Sequence, residues 1–303
     1  VNRKYLVIVF IVFIIGFSMG LKGFNQGRSL NSVKSSMSKN NFGIEGRHPY
    51  GNPVKGPLMW EFDEKVLETL AGYNADIRMA AFKAKLPDPL PGEKDNIAHA
   101  ADLLRGTVIK QGEIFSMNRS IGPYTKRRGF KSGPTYVGTR VVQTEGGGVC
   151  KIASLLYNVA VLADLKIVER NSHGMLVPYV PPGQDATVSY GAKDFKFKNN
   201  TSGSLVIWSD TKGDTLYMGL YGSQKPPKVK WHHKILGREK HRTIYRNNSK
   251  LKPGEKRVKI SGSDALTVKS WLTIEYSDGK KKIKKLGVDY YRAMPRIVER
   301  GRE

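Results

Sequence analysis

Residues 146–163 read Gly146-Gly147-Gly148-Val149-Cys150-Lys151-Ile152-Ala153-Ser154-Leu155-Leu156-Tyr157-Asn158-Val159-Ala160-Val161-Leu162-Ala163. Apolar residues Ile152, Leu155, Leu156, Val159, Leu162 and Ala163 recur at helical steps, which predicts a helix packed on one face. Three glycines precede it, and Cys150 stands at its start. A thiol there faces the positive end of the helix dipole and free backbone N–H groups, both of which favour the thiolate. The same N–H groups could hold an oxyanion during acyl transfer. The glycines let the backbone turn tightly and are expected to leave the sulfur open to a substrate.

A thiol nucleophile needs a base. His173 follows by one helix and one strand, enough chain to return it beside Cys150, and Asp185 could orient its imidazole through the second ring nitrogen. The candidate catalytic set is therefore Cys150, His173 and Asp185, with Gly146, Gly147, Gly148, Lys151 and Tyr179 as candidate substrate-binding residues. Asp194, Glu145 and Glu169 compete with Asp185 for the orienting role. Two plainer readings stand beside catalysis: Cys150 as a small buried residue opening an apolar helix, and a cleft that binds without reacting. Metal binding is not expected, because Cys150 and His173 lack further ligands at conventional spacing. No cofactor is implied. His232 and His233 are expected to be solvated or packed on strands, and Ser154, one turn after Cys150, is read as an ordinary helix-interior serine, with a supporting hydrogen bond as the alternative.

Outward from this core, Ile97, Ala100, Ala101, Leu103 and Leu104 predict a short amphipathic helix over 96–104, followed by a strand and turn leading into Phe115. Residues 119–140 are broken by glycine and proline and read as irregular. After the long helix, strands are expected at 165–170, from Asp185 to Tyr190, and in the short apolar runs between 195 and 220. Helix first and strands afterwards is an α+β order. Gln224-Lys225-Pro226-Pro227 marks a boundary, beyond which short strands and the turn Ser277-Asp278-Gly279 describe a small, basic β module.

At the other end, Arg3 and Lys4 precede an almost unbroken apolar run, Tyr5 to Leu21, at the short end of a membrane-spanning helix. No lipobox cysteine and no convincing cleavage site follow, so a retained signal anchor is expected, with a cleaved secretory signal as the alternative; either puts the folded part outside the membrane. Lys22 and Arg28 lie just past it and leave the positive-inside count undecided. The expected organisation is an anchor over 1–21, a Gly/Ser/Asn/Pro-rich tether over 22–60, an α+β domain over 61–222 and the basic β module over 223–303. One cysteine excludes an intrachain disulfide. With 51 Lys and Arg against 26 Asp and Glu, the net charge of +25 favours polyanions. Zinc-finger spacing and RNA-binding aromatic signatures are missing, so peptidoglycan or an anionic wall polymer is the expected partner rather than a specific nucleic acid. Oligomeric state stays open.

Several motifs in order complete the reading: Gln111-Gly112-Glu113-Ile114-Phe115-Ser116, Ile121-Gly122-Pro123, the Gly146–Cys150 run, Leu155-Leu156-Tyr157-Asn158, Ile167 to His173, Tyr179 to Val188 and Asp194 to Thr201. Over about 92–222 the chain resembles the VanW domain, named after an accessory protein of certain vancomycin-resistance clusters. Leu251-Lys252-Pro253-Gly254-Glu255, Tyr276 to Gly279 and Ile297 to Gly301 are similar to G5-like β modules that often accompany it. The resemblance implies an envelope setting and an association with peptidoglycan, and supplies no settled reaction. The family pattern has Gln after the cysteine and Ser after the histidine, where this chain has Lys151 and Gly174. These departures bring a lost or altered activity into play, or a cation added beside the thiolate.

Overall fold

The computed structural model describes residues 48–302 apart from 88, 138 and 139. The expected anchor over 1–21 and the tether up to residue 47 lie outside the described residues, among which no helix is long and apolar enough to cross a membrane. In chain order the elements are β1 (Gly51–Pro53), α1 (Glu64–Gly72), β2 (Ile77–Lys85), α2 (Glu93–Leu104), β3 (Thr107–Ile109), β4 (Ile114–Ser116), α3 (Met117–Ile121), β5 (Ser132–Val137), β6 (Arg140–Glu145), α4 (Cys150–Leu162), β7 (Lys166–Glu169), β8 (Lys196–Lys198), β9 (Leu205–Lys212) and β10 (Thr215–Gly222). The C-terminal part adds β11 (Lys228–Glu239), β12 (Thr243–Asn247), β13 (Lys256–Ile260), β14 (Ala265–Glu275), β15 (Lys281–Tyr291) and β16 (Arg296–Arg300).

The main sheet is antiparallel, in the order β1-β2-β10-β9-β3. Strand alternation gives it two buried faces. Ala80, Phe82 and Ala84 of β2 join Leu216, Met218 and Leu220 of β10 under the helices α2 and α4. Ala81, Val206 and Tyr221 point the other way, against Leu58, Trp60 and the Val66 and Leu70 side chains of α1. The alanines of β2 contribute little bulk, which lets α4 approach the sheet closely.

Three expectations are corrected here. The tether does not run to residue 60: β1 pairs with β2, and Leu58 and Trp60 are buried, with the indole Nε1 donating to the Tyr221 hydroxyl at 2.7 Å. Proline and glycine set the turns of this segment without loosening it. Strands also do not simply follow the helix, since β2 precedes it and takes the place between β1 and β10. Lys83 and Lys85 mask the apolar run of β2 in the sequence. Finally, α4 is not packed on one face: every residue from Ile152 to Val161 is buried. It lies against β2 and β10 on one side and β7 and β11 on others, and a helix enclosed in this way is apolar all round.

The glycine-rich 119–140 region is more regular than its composition predicts, holding a short 3₁₀ turn at Lys126–Arg128 and the hairpin β5–β6. The strand expected from Asp185 to Tyr190 does not form. Its backbone instead spreads its hydrogen bonds among neighbours: Ala186 N donates to Ser154 Oγ at 2.9 Å, Thr187 N to the Asn171 carbonyl at 2.8 Å and Ser189 N to the Lys193 carbonyl at 2.9 Å.

The C-terminal residues form two three-stranded sheets, β11-β14-β15 and β12-β16-β13, the latter containing the parallel pair β12–β16. This part is no free tail. Leu272 and Ile274 belong to the same core as α4, and Trp231 packs edge-on to Tyr157 with ring centroids 5.4 Å apart. Lys284 and Tyr276 both reach Asp164 beyond the end of α4, at 3.2 and 3.0 Å.

Candidate functional site

Gly146, Gly147 and Gly148 make the turn into α4, with Gly146 at φ 71° and Gly148 at φ 107°, the left-handed region open to glycine. Gly147 answers a different need. A Cβ there would lie 2.2 Å from the Gly133 carbonyl of β5, so two backbones touch where no side chain fits. Asn96 of α2, wholly buried, fastens the contact by donating to the Gly147 and Lys131 carbonyls, both at 2.9 Å. Gly146 and Gly147 are therefore buried structural positions rather than the substrate-lining surface expected.

This turn delivers Cys150, which is partly exposed, as the first residue of α4. Its Sγ lies 3.6 Å from the Val188 carbonyl, and His173 is its main favourable electrostatic neighbour. Burial by itself would raise the thiol pKa, but the hydrogen bond and positive charge of His173 outweigh it and hold the thiol below its usual range. The helix start offers fewer free donors than expected. Lys151 N donates to the Gly148 carbonyl, and Ile152 N and Ala153 N donate to that of Val149, at 3.0 to 3.3 Å. Among the described residues, the Cys150 N–H itself has no such partner and remains free to donate.

His173 is fixed twice by one carboxylate. Its Nδ1 lies 2.7 Å from Asp185 Oδ2 and its backbone N donates to the same oxygen at 2.6 Å, leaving Nε2 as the ring nitrogen for the thiol. Burial would push the imidazole pKa down, yet Asp185 and then Cys150 raise it to about 9. Asp185 has a side chain only 1% exposed. Burial would raise its pKa, while His173, Arg170 and the Tyr291 hydroxyl together lower it to about 2. All three shifts run toward the charged form of the group concerned.

The competing carboxylates are occupied elsewhere. Asp194 accepts from Ser116 Oγ at 2.5 Å and Asn118 N at 2.9 Å at the start of α3, Glu169 pairs with Lys196 at 2.9 Å, and Glu145 accepts from Lys126 N at 2.9 Å. Lys151 is not a free cation for substrate, because it is ion-paired with Glu93 of α2 and sits 4.8 Å over the Tyr179 ring. Tyr179 is itself buried. Their joint work is to clamp α2, α4 and the 175–188 segment around the sulfur, which corrects their expected place on a substrate surface. His232 stacks on Trp271 with centroids 5.3 Å apart, and His233 is half-buried and stacked beside Trp231, so both are strand-packed.

One contributor was underrated by the sequence reading and one escaped it. Ser154 is no ordinary interior serine: it donates to the Cys150 carbonyl at 2.9 Å while accepting from Ala186 N at 2.9 Å, tying the helix to the Asp185 segment. Arg170 reaches Asp185 Oδ1 at 3.1 Å. The cue for Ser154 was its spacing one turn after Cys150; Arg170 carried none.

A match to the family described as "VanW like protein" spans residues 92–221. The chain carries a VanW-family domain. Over 128 residues it is 40% identical to the uncharacterized protein YoaR of Bacillus subtilis, covering 42% of each chain. Over 137 residues it is 30% identical to the vancomycin B-type resistance protein VanW of Enterococcus faecalis, covering 43% of this chain and 50% of that one. The chain thus matches half or less of the length of these curated relatives. Among solved structures it is similar to the G5 domain of an IgA1 protease, with TM-score 0.18, 20% identity, and 27% of this chain and 99% of that chain covered. It is also similar to HP0197-G5, with TM-score 0.14, 17% identity, and 25% and 95% covered. The VanW-matched stretch contains Cys150, His173 and Asp185 but neither β2 nor the C-terminal sheets.

Proposed function

We propose that this is a cell-envelope protein, held outside the cytoplasmic membrane, that uses Cys150 to cleave or transfer amide bonds of wall peptides. The observation that carries the reading is the 2.7 Å contact of His173 Nδ1 with the buried Asp185 carboxylate, on an imidazole whose charge and hydrogen bonding favour the Cys150 thiolate. In this scheme the Cys150 thiolate attacks an amide carbonyl, and the Cys150 N–H helps hold the developing oxyanion. The His173 imidazolium gives its proton to the leaving amine, and the acyl group stays on sulfur as a thioester. His173, now neutral, takes a proton from water or from a second amine, which attacks the thioester and restores the thiol. Asp185 stays ionised throughout and keeps the ring oriented.

The VanW-domain match and the basic outer face of the β11-β14-β15 sheet support the wall as the setting. Val229, Trp231 and Ile235 turn inward, while Lys230, Lys234, Lys269 and Lys285 surround the Trp271–His232 stack on the exposed side. Such a face suits an anionic wall polymer, and polymer binding alone is the second reading. Purified muropeptides incubated with wild type and Cys150→Ala distinguish the two. Cut or cross-linked products that disappear in Cys150→Ala, with wall pull-down intact, support the thiol enzyme. Unchanged muropeptides, with pull-down surviving both Cys150→Ala and His173→Ala, leave polymer binding alone.

A further inference from the structure

The carboxylate that orients His173 is itself gripped from a distant part of the chain. Tyr291, the last residue of β15, is 1% exposed, and its hydroxyl lies 2.5 Å from Asp185 Oδ1. The Gly183 backbone N donates to that same hydroxyl at 2.7 Å. An amide N–H can only donate, so the tyrosine oxygen accepts there and directs its own proton to Asp185. Two residues earlier on β15, Asp289 Oδ1 takes Arg170 Nη1 at 2.5 Å, while Arg170 Nη2 reaches Asp185 Oδ1 at 3.1 Å and Arg170 Nε the Asp185 carbonyl at 2.7 Å. Asp185 Oδ1 thus faces Tyr291 and Arg170, and Oδ2 is left wholly to His173.

Resting on the reading of Cys150 and His173 as a reactive pair, we infer that Tyr291 and Asp289 are positioning residues of that site, so that the C-terminal sheet completes it. Tyr291 fixes the rotation of the Asp185 carboxylate. Asp289 holds Arg170 in place and offsets its charge; without that offset, the guanidinium would oppose the proton on His173. Of the other groups beside the pair, Lys151 is already paired with Glu93 and the Tyr179 phenol is kept neutral by burial, so β15 is where the balance is struck. The assignment makes the basic sheet more than a wall-binding appendage, because the strand that presents Lys285 outward carries Tyr291 and Asp289 inward.

The test uses the full chain with Tyr291→Phe, Asp289→Asn and, as a control on the site itself, Asp185→Asn. Each is followed by iodoacetamide alkylation of Cys150 across pH, by NMR titration of the His173 ring, and by urea unfolding. Alkylation needs no natural substrate. Tyr291→Phe should slow alkylation at pH 7 by roughly three- to tenfold, and Asp289→Asn should lower the His173 midpoint by about one unit. Both variants should unfold cooperatively. If Asp185→Asn alters the alkylation profile and the His173 titration while both β15 variants match wild type, Tyr291 and Asp289 are only packing residues and the inference is overturned. If Asp185→Asn also matches wild type, the reactive-pair reading fails with it.

Discussion

Replacing Asp185 by Asn removes one negative charge from a carboxylate that accepts from His173 N, His173 Nδ1, Tyr291 and Arg170. The folded chain lowers the Asp185 pKa from 3.8 to about 2, which at ~1.4 kcal/mol per unit is about 2 kcal/mol in favour of the charged form. This contribution is present above pH 3.8 and is lost as the pH falls through 2. His173, raised from 6.5 to about 9, has the opposite dependence: its stabilisation is full below 6.5 and is lost as the pH rises through 9. Both shifts report largely the same contact, so they are not summed. At pH 6 the variant should lose about 2–4 kcal/mol in urea unfolding, the upper end reflecting a buried Arg170 left without one partner. With Asn in place, burial governs the imidazole, and its pKa should return to 6.5 or below. The thiol then loses its cationic neighbour, and alkylation at pH 7 should slow roughly tenfold or more. A folded variant whose alkylation profile overlays that of wild type across pH 5 to 10 would refute the reasoning.

Gly147→Ala should cost about 1–3 kcal/mol, because its methyl meets the Gly133 backbone and neither partner is a flexible side chain; a lower urea midpoint would register it. Reversing charge at exposed Lys269 and Lys285 together should weaken wall pull-down most at low salt, with Cys150 alkylation unchanged, and equal pull-down at all salt concentrations would remove that face from the binding account.

Much of the α+β fold and the candidate triad could be read locally. Helix α4 shows in its three- and four-residue spacing, the turn before it in three consecutive glycines, and Cys150 at the junction of the two. The proposal of His173 and Asp185 rested on chain length and residue type, and their 2.7 Å contact depends on a segment that forgoes the strand its composition predicts. Strand β2 was missed because half of its apolar residues are alanine and Arg78 and Lys83 interrupt them. The tether was drawn too long because Pro53, Gly56 and Pro57 resemble a linker until Trp60 finds Tyr221 across the sheet.

By itself, then, the sequence determined the local conformations and the chemical types available: a thiol at a helix start, an imidazole within reach, a surplus of lysine. Tertiary structure alone decided which partners those groups received. Among the carboxylates, Asp185 meets His173 while Asp194, Glu169 and Glu145 are taken by α3, Lys196 and Lys126. Lys151 is spent on Glu93, and Tyr291 reaches Asp185 from 106 positions away. Helix periodicity and turn chemistry act over a few neighbouring residues, whereas charge pairing inside a core is set by the docking of β15 against Arg170 and the 183–185 segment, a placement no local pattern encodes.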